Sequence, residues 1–180
     1  MAGHRQHRQP PQPQPGLRPP RNGVDPRARR WWAAQALLTV SGPALLTAAA
    51  LLVLSALFFP GALPWLAPLV AVVLVLPGLA YQFAMPAWRA RVHAWELGES
   101  AVYAQSGWFW RKRRIAPLSR VQTVDTRQGP LQRRYGLATV TVTTASTAGD
   151  VRIAGICDAD AHRLAERIGT VVRSLREDAA

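Results

Sequence analysis

Fifty-eight consecutive residues, from Trp31 to Trp88, contain no Lys, Arg, Asp or Glu. The block reads "WWAAQALLTVSGPALLTAAALLVLSALFFPGALPWLAPLVAVVLVLPGLAYQFAMPAW", which is too long and too apolar for one core helix of a soluble domain. A helix crossing the hydrocarbon of a bilayer takes about 20 apolar residues, so the block predicts two spans. The break falls at "FFPGALPW", where Pro60, Gly61 and Pro64 end one helix and start the next. The spans are expected at about residues 33–59 and 65–83. Gly42-Pro43 and Pro77-Gly78 lie inside them and predict kinks, because proline removes a backbone donor and crowds the preceding turn.

Charge on either side sets the orientation. Residues 1–30 hold seven Arg against one Asp, and residues 89–180 hold fifteen basic against nine acidic side chains, so both flanks carry net +6. Arg27, Arg29 and Arg30 precede the first span, Arg89 and Arg91 follow the second, and the connecting turn is uncharged. The positive-inside rule then predicts that both termini are cytoplasmic; one Lys among 22 basic residues, with abundant Ala, Pro and Leu, suggests a GC-rich bacterial genome and so the inner membrane of a bacterium. Trp31, Trp32, Trp65, Tyr81 and Trp88 fall near the predicted boundaries, where amphipathic rings settle. A cleaved signal peptide fits less well, since its apolar stretch is shorter and is not followed by a second span. The pair Arg29-Arg30 alone is a weak export signal.

Residues 1–30, with "QPPQPQPGLRPP", have too few apolar side chains to offset the entropy of ordering, and predict a disordered basic Pro-rich tail, partly polyproline II. Residues 31–88 form the transmembrane helical hairpin. Residues 89–180 are expected to fold as a cytoplasmic domain.

Within that domain "VHAWELGESAVYAQSG" reads as two strands around Gly98-Glu99-Ser100. "RRIAPLSRVQTVDT" continues extended, with Pro117 at a strand edge or start. Val121 and Val124 have opposite parity, which implies burial on both faces or a bulge. Gly129-Pro130 predicts a turn. "ATVTVTT" alternates Ala138, Val140 and Val142 against threonines, and "DVRIAG" places Val151 and Ile153 inward with Arg152 outward. The period then changes: Ala161, Leu164, Ala165, Ile168, Val171, Val172 and Leu175 form one stripe of a helix that Asp158 or Asp160 can cap. Strands followed by one amphipathic helix give an α+β domain.

One stretch, "APLSRVQTVDTRQGPLQRRYGLATVTVTTA", resembles the core of the YdbS-like bacterial pleckstrin-homology (PH) family. Pro117, Leu118, Arg120, Val121, Gln122, Gly129, Pro130, Leu131, Arg133, Gly136, Leu137 and Ala138 carry the likeness, and the two preceding spans and closing helix extend it over about residues 31–176. "TASTAGDVRI" departs from it by a longer loop. The resemblance implies a strongly bent antiparallel sheet of about seven strands capped by the C-terminal helix. It also implies a membrane-protein partner, such as a larger PH-like relative, and a role in envelope stress or antimicrobial-peptide tolerance, without implying phosphoinositide binding.

The main candidate surface is "WFWRKRR", with Trp108, Phe109 and Trp110 beside Arg111, Lys112, Arg113 and Arg114. Residues 89–134 hold ten basic against three acidic side chains, whereas residues 135–180 hold five against six, so the excess sits close to the membrane exit. Anionic lipid attracts such clusters by about 1 kcal/mol per basic residue, and the rings add interfacial anchoring. A competing reading makes this an extended strand, with Trp108, Trp110, Lys112 and Arg114 on one side, one ring set in the core and the cations solvated. Nucleic acid is the weakest reading, since no recognised binding motif accompanies the cluster.

Catalytic and metal chemistry find little support. Ser106, Ser119 and Cys157 have no base placed with them by the sequence, Glu96 and Glu99 flank a turn, and His4, His7, His93 and His162 are scattered. With one cysteine there is no internal disulfide. Arg120 and Gln122 are expected on one strand face in a structural role. The chain therefore reads as a non-catalytic, membrane-anchored interaction module without a cofactor, binding a partner protein or the anionic membrane surface. The alternative is an accessory subunit of a transport or export assembly, against which stands the absence of ionisable residues in the spans.

Overall fold

Proline placement decides where the apolar block folds back. In a computed structural model that describes residues 20–145 and 149–177, helix α1 runs Arg27–Phe58 and helix α2 runs Pro60–Val92, each long and apolar enough to cross a membrane. Only Phe59 separates them, and α2 opens with the 3-10 turn Pro60–Ala62. The expected spans thus lie inside longer helices that continue on the side away from the turn. The expected kink sites appear as π turns at Leu37–Ser41 and Ala71–Val75, just before Gly42-Pro43 and Leu76-Pro77. A wider turn there accommodates the carbonyl that proline leaves without a donor.

The helices are joined by polar contacts at close approach. Ser41 Oγ donates to the Gly78 carbonyl at 3.0 Å, and Gln82 Nε2 donates to the Ala33 carbonyl at 3.1 Å. Such bonds contribute on the order of 1 kcal/mol each between helices in lipid.

Residues 20–30, expected within a disordered tail, hold defined structure; residues 1–19 lie outside the described residues. Strand β1, Asn22–Gly23, pairs antiparallel with β2, Ala94–Leu97, across the whole hairpin. Arg21 lies 4.0 Å from Glu96 beside it. The membrane hairpin is therefore inserted between two neighbouring strands of one sheet.

β2 pairs with β3, Ala101–Ser106, and β3 with β4, Lys112–Pro117. Pro117 closes that ladder, as a residue without an N–H must. The 3-10 turn Leu118–Arg120 then leads into a second sheet of β5, Val121–Arg127, β6, Leu137–Thr144, and β7, Val151–Cys157. The bent antiparallel arrangement of about seven strands that the resemblance implied is present, divided among the described residues into two antiparallel sheets, β1-β2-β3-β4 and β5-β6-β7. The parity conflict at Val121 and Val124 resolves as an irregular register between Val121 and Thr123. Where Gly129-Pro130 predicted a turn, a short helix α3, Pro130–Arg134, forms.

The main core lies between the sheets and the closing helix α4, Asp158–Glu177. It gathers Val102, Leu118, Val140, Val142, Ile153 and Ile156 with Ala161, Leu164 and Ile168 of α4. Leu175, expected on the apolar stripe, is exposed, although the neighbouring Arg176 Nη2 still donates to the Val121 carbonyl of β5 at 3.2 Å. Fully buried side chains such as these contribute about 1.5–3 kcal/mol each.

A second core joins hairpin to sheet. Ala28, Trp32 and Ala36 of α1 and Met85 of α2 pack with Leu137 of β6. Gly155 of β7 makes this approach possible: its φ is +78°, and a Cβ there would lie 2.9 Å from the Ala28 Cβ and 3.6 Å from the Trp32 ring. Its carbonyl also accepts the Asp25 N–H at 2.9 Å. Gly155→Ala combines left-handed strain with this overlap, so we expect a loss of about 1–3 kcal/mol, read as a lower thermal midpoint of the full chain in detergent. An unchanged midpoint would show that the hairpin base does not bear on the sheet.

Candidate functional site

The basic and aromatic run forms the tip of the β3–β4 hairpin. Gly107 has φ +125°, and a Cβ there would meet the Trp110 carbonyl oxygen at 1.9 Å, so the reversal requires glycine. Trp108–Trp110 make the bend and β4 begins at Lys112. The rings are therefore not in a strand, and the reading that buries one ring set fails: Trp108, Phe109 and Trp110 are 41%, 74% and 75% exposed. Trp108 and Phe109 meet tilted, and Phe109 and Trp110 edge to face, with centroids 6.3 and 5.5 Å apart.

The pleat of β4 separates the cations. Ser106 lies opposite Lys112, Gln105 opposite Arg113 and Ala104 opposite Arg114, so Lys112 and Arg114 share the side of Ala104 while Arg113 shares that of Gln105. Gln105, which sequence reasoning missed, is the buried link on its side. Its Nε2 donates to the carbonyl of Val92, the last residue of α2, at 3.0 Å, and its Oε1 accepts from Arg113 Nε at 3.2 Å. A glutamine alternating with small and apolar residues in a strand gives no sign of that reach. On the other side, Arg114 Nη1 donates to the Asp150 carbonyl at 2.6 Å, tying β4 to the start of β7.

Contact with α2 sets the depth of the tip. The Trp108 ring meets Tyr81 edge to face, with centroids 5.6 Å apart. At 1.5 Å per residue, about 20 residues from the turn at Phe59 span the hydrocarbon and end near residue 39 on α1 and residue 80 on α2. Exposed apolar side chains mark the same level, since Leu37, Leu38 and Phe83 lie at this end of the exposed band, with Trp88 about one turn further. On this count Tyr81 falls at the hydrocarbon boundary, and the remaining turns of each helix, about three, form a stalk whose Ala28, Trp32, Ala36 and Met85 pack with Leu137 of β6.

Among the matched positions, Leu118 and Leu137 are buried, and Arg120, Gln122, Pro130 and Arg133 are exposed. Arg120 lies in the 3-10 turn and Gln122 in the irregular register that follows, so the two do not share a regular strand face as expected. Gly129, Pro130 and Leu131 open α3, where Gln132 accepts the Gly129 N–H at 3.0 Å and donates to Thr139 Oγ1 at 2.8 Å. Gly136, with φ +64°, ends that turn, and its carbonyl accepts the Asp158 N–H at 3.1 Å. These positions hold the fold around β6. Gln132, the unspecified position of the motif, is the buried one that closes it.

His93 and His162 have partners other than Ser106, Ser119 or Cys157. His93 Nδ1 lies 3.0 Å from the Arg89 carbonyl and its ring packs on Trp32 at 4.9 Å; His162 faces Asp158 at 3.5 Å. Burial lowers the His93 pKa below 6.5, the Arg89 charge acts in the same sense, and the Arg89 backbone contact opposes them. The neutral form therefore belongs to the folded state, and its contribution is present above the unfolded pKa and lost as pH falls through 6.5 toward the depressed value. We expect the thermal midpoint to fall between pH 7 and pH 5.5, with a smaller fall in His93→Gln; equal slopes for the two proteins would remove His93 as the cause.

A sequence model of the bacterial PH domain matches residues 41–171. The chain is 34% identical over 160 residues to the transmembrane protein YdbS of Bacillus subtilis strain 168, covering 88% of this chain and 97% of that protein. No solved structure matches. Two apolar helices, paired antiparallel sheets and a capping C-terminal helix agree with both matches, and the chain belongs to the bacterial PH-domain family.

Proposed function

We propose that this membrane protein is a non-catalytic interaction module whose β3–β4 tip docks on the anionic headgroup layer of the cytoplasmic leaflet. The observation that supports this reading is the Trp108–Tyr81 contact, since Tyr81 lies near the boundary expected for the second span and the neighbouring Phe109 and Trp110 are exposed. Aromatic rings favour that depth, and the cations beside them gain from anionic lipid.

Docking requires the domain and the basic flanks Arg27, Arg29, Arg30, Arg89 and Arg91 to share the cytoplasmic side. Cys157, half-buried in β7 and the chain's one cysteine, reports this directly. A membrane-impermeant maleimide should leave Cys157 unlabelled in intact cells and label it after permeabilisation. Equal labelling before lysis would reverse the orientation.

The docking itself is tested in vesicles with lipids brominated near the headgroup. The full chain should show tryptophan quenching that Trp110→Ala reduces by the share of one interfacial ring among the chain's seven tryptophans, and salt should weaken the contribution of the cations. Quenching that is the same in Trp110→Ala and wild type would place the tip outside the lipid interface.

A further inference from the structure

We infer that the groove between the β1–β2 edge and α4 is an intramolecular site for the chain's own Pro-rich segment, residues 9–16, bound in polyproline II form. The groove has a volume of about 450 Å³ and is bounded by Asn22, Trp95 and Leu97 on the sheet and by Arg163, Leu164 and Arg167 on the helix.

Strand register and helical period build this groove together. Trp95 and Leu97, two residues apart, project to one side of β2, and Asn22 lies opposite Trp95 in the β1–β2 pair, so its side chain shares that side. On α4, Asp160, Arg163, Leu164 and Arg167 follow the three- and four-residue steps of one helical face. β1 is two residues long and ends the sheet, so among the described residues no further strand closes the gap between sheet edge and helix. The floor is an indole and two leucines, and the rim carries two exposed arginines.

That lining suits a ligand rich in carbonyls and poor in N–H groups. Trp95 Nε1 is buried with no acceptor among the described residues. Arg167 adds guanidinium donors at the rim, and Asp160 holds Arg163 in place beside it. A polyproline II segment makes no internal hydrogen bonds, so its carbonyls stay available, and each proline lacks a donor of its own. Its ring faces pack on aromatic grooves, where an indole N–H meets a prolyl carbonyl.

The occupant is already attached. The described chain starts at Pro20, two residues before Asn22 in the groove wall. Residues 9–16 read "QPPQPQPG", with four prolines in eight positions and no charged side chain, so the rim arginines do not repel them. The helical face from Asp160 to Arg167 rises about 10 Å, which roughly three to four polyproline II residues match. Tethering through residues 17–21 keeps the segment at an effective concentration of about millimolar, so a weak contact is enough to fill the groove.

The test places the photo-crosslinker p-benzoylphenylalanine at position 163, an exposed site on the rim, in the full chain in mild non-ionic detergent. After irradiation, peptide mass spectrometry should locate the link on residues 9–16 of the same chain. Pro10→Ala/Pro11→Ala/Pro13→Ala/Pro15→Ala, which leaves every described residue unchanged, should lower the yield by roughly 5-fold. Trp95→Phe, which keeps a ring and removes the donor, should give an intermediate loss. A labelled peptide of residues 7–18, followed by fluorescence anisotropy, should bind the four-proline variant about 10-fold more tightly than the wild type, whose groove is filled. A link joining two chains would seat a second copy in the groove and overturn the assignment. A link confined to residues 17–21, or equal yields from the wild type and the four-proline variant, would reduce the contact to proximity and overturn it too. Equal binding of the peptide by the two proteins would have the same consequence.

Discussion

Hydrocarbon offers a peptide group no hydrogen-bonding partner, and the rest of the molecule follows from that. The block from Trp31 to Trp88 must satisfy its backbone internally, so it becomes helix, and two helices must find each other through packing and a few polar contacts. Ser41 and Gln82 supply those contacts to the backbone of the opposite helix. The π turns ahead of Pro43 and Pro77 answer the same demand: an irregular backbone persists only in a form that keeps its carbonyls occupied.

Insertion of the hairpin between β1 and β2 gives the membrane anchor an unusual relation to its domain. A domain joined to a span by one flexible linker can turn freely. Here both ends of the hairpin enter one sheet, Trp32 and Leu137 share a buried cluster, and Gly155 lets the helix come within contact of β7. Gln105 adds a bond from the end of α2 to the strand that carries the tip. Position in the membrane is thereby transmitted to the β3–β4 hairpin through packed side chains and hydrogen bonds.

Much of this was legible in the sequence because it depends on period and punctuation. The charge-free block, the break at Pro60 and Pro64, the alternation through β6 and β7 and the stripe of α4 are local patterns, and each corresponds to an element. What was not legible depends on contacts between segments distant in the chain. Asn22 and Gly23 contain nothing that signals a strand, and they form one because β2 offers an open edge. Trp108, Phe109 and Trp110 look alike in a strand or a bend, and only the backbone of Gly107 decides for the bend. Gln105 and Gln132 act as buried connectors whose partners lie 13 residues away in one case and in the adjacent turn and strand in the other. The motif through Pro117, Gly129 and Gly136 correctly indicated the family, and the contacts around it, from Gln132 to Gly129 and Thr139 and from Asp158 to Gly136, hold the fold around β6.

Energetics distinguish what the tip does from what the spans do. Two helices of this hydropathy hold the chain in lipid by an amount that a few surface contacts cannot alter. Four cations at about 1 kcal/mol each, reduced by salt, are worth only a few kcal/mol. That is too little to matter for residence in the membrane, but it corresponds to roughly 10²- to 10³-fold in an equilibrium between docked and undocked arrangements of the domain. On the docking reading, then, the variable that lipid charge controls is the orientation of the sheets above the leaflet, and with it which face of the domain is left open to a partner.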